Sequence, residues 1–261
     1  MSELVKFAPE PGVALSDDES RALVDQTRWY HLFQLRDGLM SKGESFIDAG
    51  PSLDALGVPK DLSGKLALDI GAWDGPLTFE LERRGAEAMA LDIQDPERIG
   101  FASARRIIGS RAAHYRGSVY QLSGKELPPL DLVLFRGVYY HLKYPLLAFE
   151  NISSAMKKGG TLHFEGEAFL HYAETLDGAP SGIDWGALAR SEAPVCLSYP
   201  NNYRRSSNWF VPNAACLRGW MIASGFEVRE MSEFTEDGAQ RLYGWAEKVS
   251  DQSSLLEHPL Y

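Results

Sequence analysis

The residues with the most chemical promise lie in one short stretch, Leu68-Asp69-Ile70-Gly71-Ala72-Trp73-Asp74-Gly75, and in one later acid, Asp92. A glycine at the end of an apolar strand lets the backbone turn sharply and approach a bulky ligand. In open α/β sheets ligands gather beyond the carboxyl ends of the strands, and an acid about 20 residues on accepts the ribose hydroxyls of a nucleoside. A dinucleotide fingerprint would require glycines where Gly71, Trp73 and Pro76 stand, and only the first position complies. Asp69 and Asp74 instead suit a positively charged partner, such as a nucleoside carrying a sulfonium and an amino group. Its carboxylate would then fall to the backbone amides near Gly71. A D-x-G at a strand end also occurs with no ligand attached; the spaced Asp92 is what makes the pair informative.

Candidates for proton transfer and substrate contact follow the same edge. Histidine is the usual base near neutral pH. His141, after Tyr140 at the end of a later strand, stands where an acceptor would arrive, or is bonded to backbone. His31, in Trp29-Tyr30-His31, closes over the site or packs structurally. Glu165 ends another strand and suits an amine or hydroxyl, or is an ordinary exposed acid. Tyr203, Arg204, Asn208 and Trp209 combine rings and a guanidinium able to hold a flat or acidic molecule. Trp29 suits cofactor or acceptor equally. The pattern offers no metal-ligand set.

The spacing predicts a helix from Asp17 to Leu39, with a turn at Asp37-Gly38, and loose order over residues 1–20. Strands are predicted at 65–70, 88–93, 113–115, 131–135, 161–165 and 226–228, and a last one within 241–249. Helices are predicted at 76–84, 97–109, 145–157 and 213–224; the third ends on a basic turn and glycine stop, Lys157-Lys158-Gly159-Gly160. Alternation of apolar strands and helices implies an α/β, doubly wound, parallel sheet. Residues 167–208 lack a period and read as an inserted cap. The expected organisation is a helical or lid segment (1–60), a Rossmann-like core (61–166), the cap (167–208), the rest of the core (209–249) and a disordered tail (250–261).

Composition narrows the function. The formal charge of −10 opposes non-specific attraction to phosphate backbones, so a nucleic-acid partner is disfavoured. Cys196 and Cys216 form no C-x-x-C pair, which excludes a disulfide framework. The N-terminus lacks a basic region followed by an apolar one, and no apolar run reaches the ~18 residues of a membrane span. A cytoplasmic protein is expected. The oligomeric state stays open, with a homodimer among the options.

Leu68–Gly75 with Ala90-Leu91-Asp92 resembles motifs I and II of the class I S-adenosylmethionine (SAM)-dependent methyltransferases. Phe135 to Leu142 resembles the segment after the fourth strand in a subgroup. That subgroup contains the bacterial tRNA wobble-uridine carboxymethyltransferase and related enzymes of unassigned substrate. Trp29-Tyr30-His31 with Leu35-x-Asp37-Gly38, and Phe210-Val211-Pro212-Asn213 through Gly225-Phe226, resemble the latter. The similarity covers roughly residues 27–248. It implies SAM as cofactor, with Asp69, Gly71, Ala72, Asp74 and Gly75 at its methionine part. Asp92 would be at its ribose, Ile93, Ser118 and Val119 at its adenine, and Arg136 and Gly137 near its methyl group, with Tyr140 beside it. Arg241 and Tyr140 match residues that hold the extra carboxylate of carboxy-SAM in the carboxymethyltransferase. The lysine-bearing basic segment of that enzyme has no counterpart here, so ordinary SAM is expected. The leading expectation is methyl transfer to oxygen, nitrogen or carbon of a small metabolite of specialised metabolism. The alternatives are tRNA modification and a non-catalytic SAM-binding regulator.

Overall fold

The computed structural model describes residues 3–8, 15–123, 127–177, 179, 181–205, 207–236 and 238–251. The tail expected to be disordered therefore lies, from Gln252 onward, outside the described residues. The chain divides into two compact units, Met1–Leu134 and Phe135–Tyr261.

The first unit opens with β1 (Val5–Phe7) and α1 (Asp17–Gln26). A capping box starts α1: Ser16 Oγ accepts from Glu19 N at 3.3 Å while the Glu19 carboxylate accepts from Ser16 N at 2.8 Å. The helix stops at Gln26, well short of the predicted Leu39. Short strands follow instead, β2 (His31–Leu32), β3 (Gln34–Arg36), β4 (Leu39–Met40) and β5 (Ser45–Phe46). Phe33 and Leu35 are buried while Gln34 between them is exposed, so the period is two rather than 3.6. The loose order expected of residues 1–20 is also corrected where they are described, because β1 pairs antiparallel with a sheet strand.

Helix α2 (Ala49–Ala55) leads to the regular part: β6 (Leu66–Ile70), α3 (Pro76–Arg83), β7 (Glu87–Asp92), α4 (Phe101–Ile108) and β8 (Ala113–Arg116). Strand β9 (Leu130–Arg136) crosses the boundary between the units. β6, β7 and β8 pair in parallel, and their continuous burial shows that both faces are covered. The strand order in this unit is β1-β8-β7-β6-β9. The chain moves outward from β6 to β8 and then returns to the other side of β6. That reversal is a topological switch point, and the loop after β6 stands at it.

The second unit contains α5 (Pro145–Ala155), β10 (Met156–Glu167), α6 (Trp185–Ala189), β11 (Cys196–Ser198), β12 (Phe210–Pro212), α7 (Ala214–Ala223), β13 (Phe226–Glu236) and β14 (Ala239–Lys248). β14 pairs antiparallel with both β10 and β13. Lys157 to Gly160, predicted as a helix end, instead belong to β10. The turnover is fixed by buried Lys248, whose Nζ donates to the carbonyls of Ser153 (2.7 Å) and Met156 (2.8 Å) and so satisfies the open end of α5. The segment 167–208 builds an apolar cluster of Phe169, Ala173, Ala189, Tyr199 and Tyr203 with Val211 of β12. Among the described residues no helix is long and apolar enough to cross a membrane.

One core residue carries a pH liability. His114 on β8 is fully buried between the rings of Phe7 and Phe101, and neither ring nitrogen has a hydrogen-bond partner among the described residues. Burial, with Arg105 nearby, lowers its pKa from 6.5 to about 4. Below pH 6.5 the unfolded chain takes up a proton that the native chain refuses until about pH 4. Stability is therefore expected to fall by up to about 3 kcal/mol across that window. His114→Leu should flatten this part of the acid dependence, as measured by urea denaturation at neutral and acidic pH.

Candidate functional site

In the first unit the loop between β6 and α3 is shaped by unusual backbone angles. Gly71 (φ 79°), Trp73 (φ 50°) and Gly75 (φ 88°) all adopt the left-handed region. A Cβ on Gly75 would stand 2.7 Å from the ring of Phe101, so helix α4 packs directly on the loop backbone. Trp73 bears a side chain in that conformation, a strain tolerated where the surroundings over-determine the turn. Its amide donates to Asp92 Oδ2 at 3.0 Å, tying the loop to the end of β7.

The three acids of this region differ in what they face. Asp69 is buried, and its carboxylate accepts from Thr78 Oγ1 at 2.7 Å. Asp74 is fully buried and accepts the amides of Tyr30 (2.9 Å) and His31 (2.8 Å) on Oδ2, while Oδ1 meets His31 Nδ1. Asp92 accepts from Gln94 N at 2.9 Å besides Trp73, and burial raises its pKa above the ordinary aspartate value. Beside it Ile93 is 71% exposed, an apolar face open at the end of a buried strand. Asp92 keeps lone-pair capacity for hydroxyl donors. A carboxylate next to an exposed aliphatic side chain, reached by a loop without Cβ atoms at Gly71 and Gly75, fits a nucleoside.

Ala72 is buried inside the loop, and Gly75 N donates to its carbonyl at 2.8 Å. Ser118 caps a single 3₁₀ turn after β8, accepting from Tyr120 N at 3.2 Å, with Val119 buried below it. Trp29 is half-buried and donates its indole N–H to Val24 O at 2.9 Å. A cavity of about 790 Å³ in this unit is lined by Phe33, Met40, Phe46, Pro76, Phe79 and Arg83 among others; neither Gly71 nor Asp92 lines it.

The second unit gathers another polar group. Glu165 and Glu167 lie on the same face of β10, two residues apart, and Arg241 of β14 pairs with Glu167 in register. The ion pairs form a chain: Arg136 to Glu165 (3.4 Å), Glu165 to Arg241 (3.4 Å), Arg241 to Glu167 (3.7 Å) and Glu167 to Arg204 (3.4 Å). Arg241 also donates to Tyr140 Oη at 2.8 Å and stacks 5.1 Å from that ring's centre. Burial opposes the charge of Arg241, yet Tyr140, Glu165 and Glu167 hold its pKa above the usual value. Burial likewise raises the Tyr140 phenol and the Glu167 carboxyl.

His141 is exposed, and its Nδ1 lies 2.8 Å from the Ser207 carbonyl, which fixes the proton on Nδ1. Partial desolvation lowers its pKa, so the ring is neutral at pH 7 with Nε2 as the acceptor nitrogen. Gly137 (φ 73°) donates to Glu165 O at 2.9 Å, and Trp209 N donates to Tyr140 O at 2.8 Å. Tyr203 Oη and Asn208 Oδ1 are buried without a partner among the described residues. Buried polar atoms in that state call for a ligand or water. Sequence reasoning missed Glu167; its place two residues after Glu165 on a strand was the available signal. It also missed that Asp74 would pair with His31, since no local spacing links residues 43 apart in the chain.

A methyltransferase-domain family profile matches residues 49–231. The chain is 28% identical over 199 residues to the tRNA U34 carboxymethyltransferase of Aeromonas hydrophila, covering 73% of this chain and 54% of that protein. It is 27% identical over 205 residues to the enzyme of that name from Sulfurovum sp., covering 75% and 59%. The chain thus spans about half the length of the curated relatives it matches. Among solved structures, the N-terminal domain of EvdMO1, crystallised with S-adenosylhomocysteine (SAH) and D-fucose, superposes with a TM-score of 0.61 at 16% identity, covering 91% of this chain and 98% of that one. A SAM-dependent methyltransferase from Mesorhizobium loti gives 0.53 at 15%, covering 76% and 96%. With the domain profile matched over well more than half of its length, the chain belongs to the methyltransferase-domain family and has the Rossmann-like fold of SAM-dependent methyltransferases.

Proposed function

We propose that the protein transfers a methyl group from SAM to oxygen, nitrogen or carbon of a small molecule. The observation that carries this reading is the buried Asp92 carboxylate beside exposed Ile93, at the carboxyl end of β7 and tied to the switch-point loop through Trp73. Asp92 would accept the ribose hydroxyls, and Ile93 with Ser118 and Val119 would flank the adenine. Gly71, Ala72 and Gly75 would let the backbone approach the amino acid end. Asp69 and Asp74 serve that end through the loop they brace, since Thr78 and His31 engage their carboxylates. Bound SAM supplies a carbon activated by a sulfonium leaving group. The protein's task is then alignment and removal of an acceptor proton.

The second unit has chemistry suited to a small polar acceptor. Arg136, Arg204 and Arg241 outnumber their two carboxylate partners, and Tyr140, His141, Asn208, Tyr203 and Trp209 add hydrogen-bonding and flat surfaces. Glu165, held between two guanidiniums, acts in this reading by fixing Arg136 and Arg241 rather than by taking a proton. A tRNA acceptor is the second reading, favoured by the names of the 28%-identical relatives. The chain's net charge of −10 speaks against it.

Asp92→Ala should weaken SAH binding by about 3 kcal/mol, on the order of a hundredfold. Isothermal calorimetry measures this, and unaltered affinity would remove Asp92 from the site. SAH affinity should also decline on acidification earlier than an ordinary aspartate would dictate, because protonation of Asp92 cancels its acceptor role. Turnover with methyl-labelled SAM against a panel of hydroxyl, amine, amide and activated-carbon metabolites should yield methylated product. Filter binding to bulk tRNA at about 50 and 200 mM salt should show no salt-dependent retention. Strong retention at low salt, with no product from the panel, would favour the second reading.

A further inference from the structure

Asp74 makes one contact more than mooring a segment requires. Its Oδ2 accepts the consecutive amides of Tyr30 and His31, and those two bonds already dock residues 30–31 on the β6–α3 loop. The other oxygen engages the His31 ring at Nδ1. An acceptor-only carboxylate on that side places the ring proton on Nδ1, and in the neutral ring Nε2 is then an unprotonated acceptor. Nε2 bonds to no described residue and is not sealed from solvent; the side chain retains 15% of its exposure.

The backbone that carries the ring is held as well. Ser41 Oγ donates to His31 O at 2.7 Å, and Ser45 N donates to Tyr30 O at 3.2 Å. Gly43 packs so closely on the backbone of residues 30–31 that any Cβ there would overlap it. The Tyr30 ring lies edge-on to His31 at 4.7 Å and 5.0 Å from Trp73. Trp73 is bonded through its amide to Asp92, so neighbouring loop residues join the proposed ribose acid and the imidazole. His141 lacks such support, because its Nδ1 faces a neutral carbonyl. A carboxylate stabilises the imidazolium that forms on proton uptake far better than a carbonyl does.

We propose that Asp74 and His31 form a proton-accepting dyad, with His31 Nε2 taking the proton of an acceptor O–H or N–H and Asp74 as the residue that positions the ring. This rests on the methyl-transfer reading above and narrows its acceptor class to hydroxyl or N–H compounds that hold their proton at neutral pH. As the acceptor's lone pair bonds to the methyl carbon, the carbon–sulfur bond breaks and its electron pair passes to sulfur. The acceptor proton moves to Nε2. The resulting imidazolium, paired with Asp74, returns that proton to solvent, so no other reactant is consumed.

The test begins without any acceptor. Long-range ¹H–¹⁵N NMR of the intact protein with SAH added should show the neutral His31 ring protonated at Nδ1, and diethyl pyrocarbonate should modify His31 Nε2, as read by mass spectrometry. Asp74→Asn should release the tautomer, shifting protonation toward Nε2 and slowing the modification several-fold. An Nε2–H tautomer in the wild type, a tautomer unmoved by Asp74→Asn, or an unreactive ring overturns the dyad. For any panel compound shown to be methylated, His31→Gln should cut kcat at least a hundredfold and leave SAH affinity within twofold. Unchanged kcat also overturns the proposal. If SAH fails to bind or the panel yields no product, the methyl-transfer reading fails instead, and the NMR and modification results still decide the dyad.

Discussion

The buried carboxylate of Asp74 is the constraint on which the organisation of the first unit turns. A fully buried acid is costly unless hydrogen bonds surround it, and here three donors converge from one dipeptide, Tyr30-His31. Satisfying the charge therefore means bringing the segment after α1 onto the loop after β6. The same loop is strained at Trp73 and stripped of side chains at Gly71 and Gly75, so it reaches a geometry it would not adopt alone. Through Asp74 the position of residues 30–31 is tied directly to the β6–α3 loop.

The second unit solves a different electrostatic problem. Two acids on adjacent same-face positions of β10 would repel each other, and Arg241 stands between them with Arg136 and Arg204 on the outside. The alternation of sign is what makes burial of Glu165 and Glu167 tolerable. It also fixes the guanidiniums in place. Arg241, at the centre of the chain of charges, is further held by the Tyr140 ring and phenol oxygen. The array carries one more cation than anion, and among the described residues the buried Tyr203 Oη and Asn208 Oδ1 have no hydrogen-bond partner.

Much of the first unit was legible because its signals are local. The apolar runs read at 65–70 and 88–93 act over a few residues, and strands formed where those signals stood, at Leu66–Ile70 and Glu87–Asp92. The errors share one cause. Between Thr27 and Leu39 the apolar residues fit a helical period loosely, and pairing among β2 to β5 imposed a period of two. At Lys157 a basic, glycine-ended helix terminus was plausible on local grounds, yet the donor that closes α5 is Lys248, about ninety positions later in the chain.

The order of residue types along the chain was enough to determine that an α/β core carries a glycine-bent loop with an acid beyond the next strand, because turn chemistry and strand burial are written into neighbouring positions. Which way each acid faces was decided only by tertiary structure. Asp69, Asp74 and Asp92 look alike in sequence, but a hydroxyl from α3, an imidazole from the N-terminal segment and the loop's own amide divide them into one brace, one histidine partner and one acid still able to meet a ligand. A carboxylate's role is set by the donors that reach it, and those come from residues far apart in the chain.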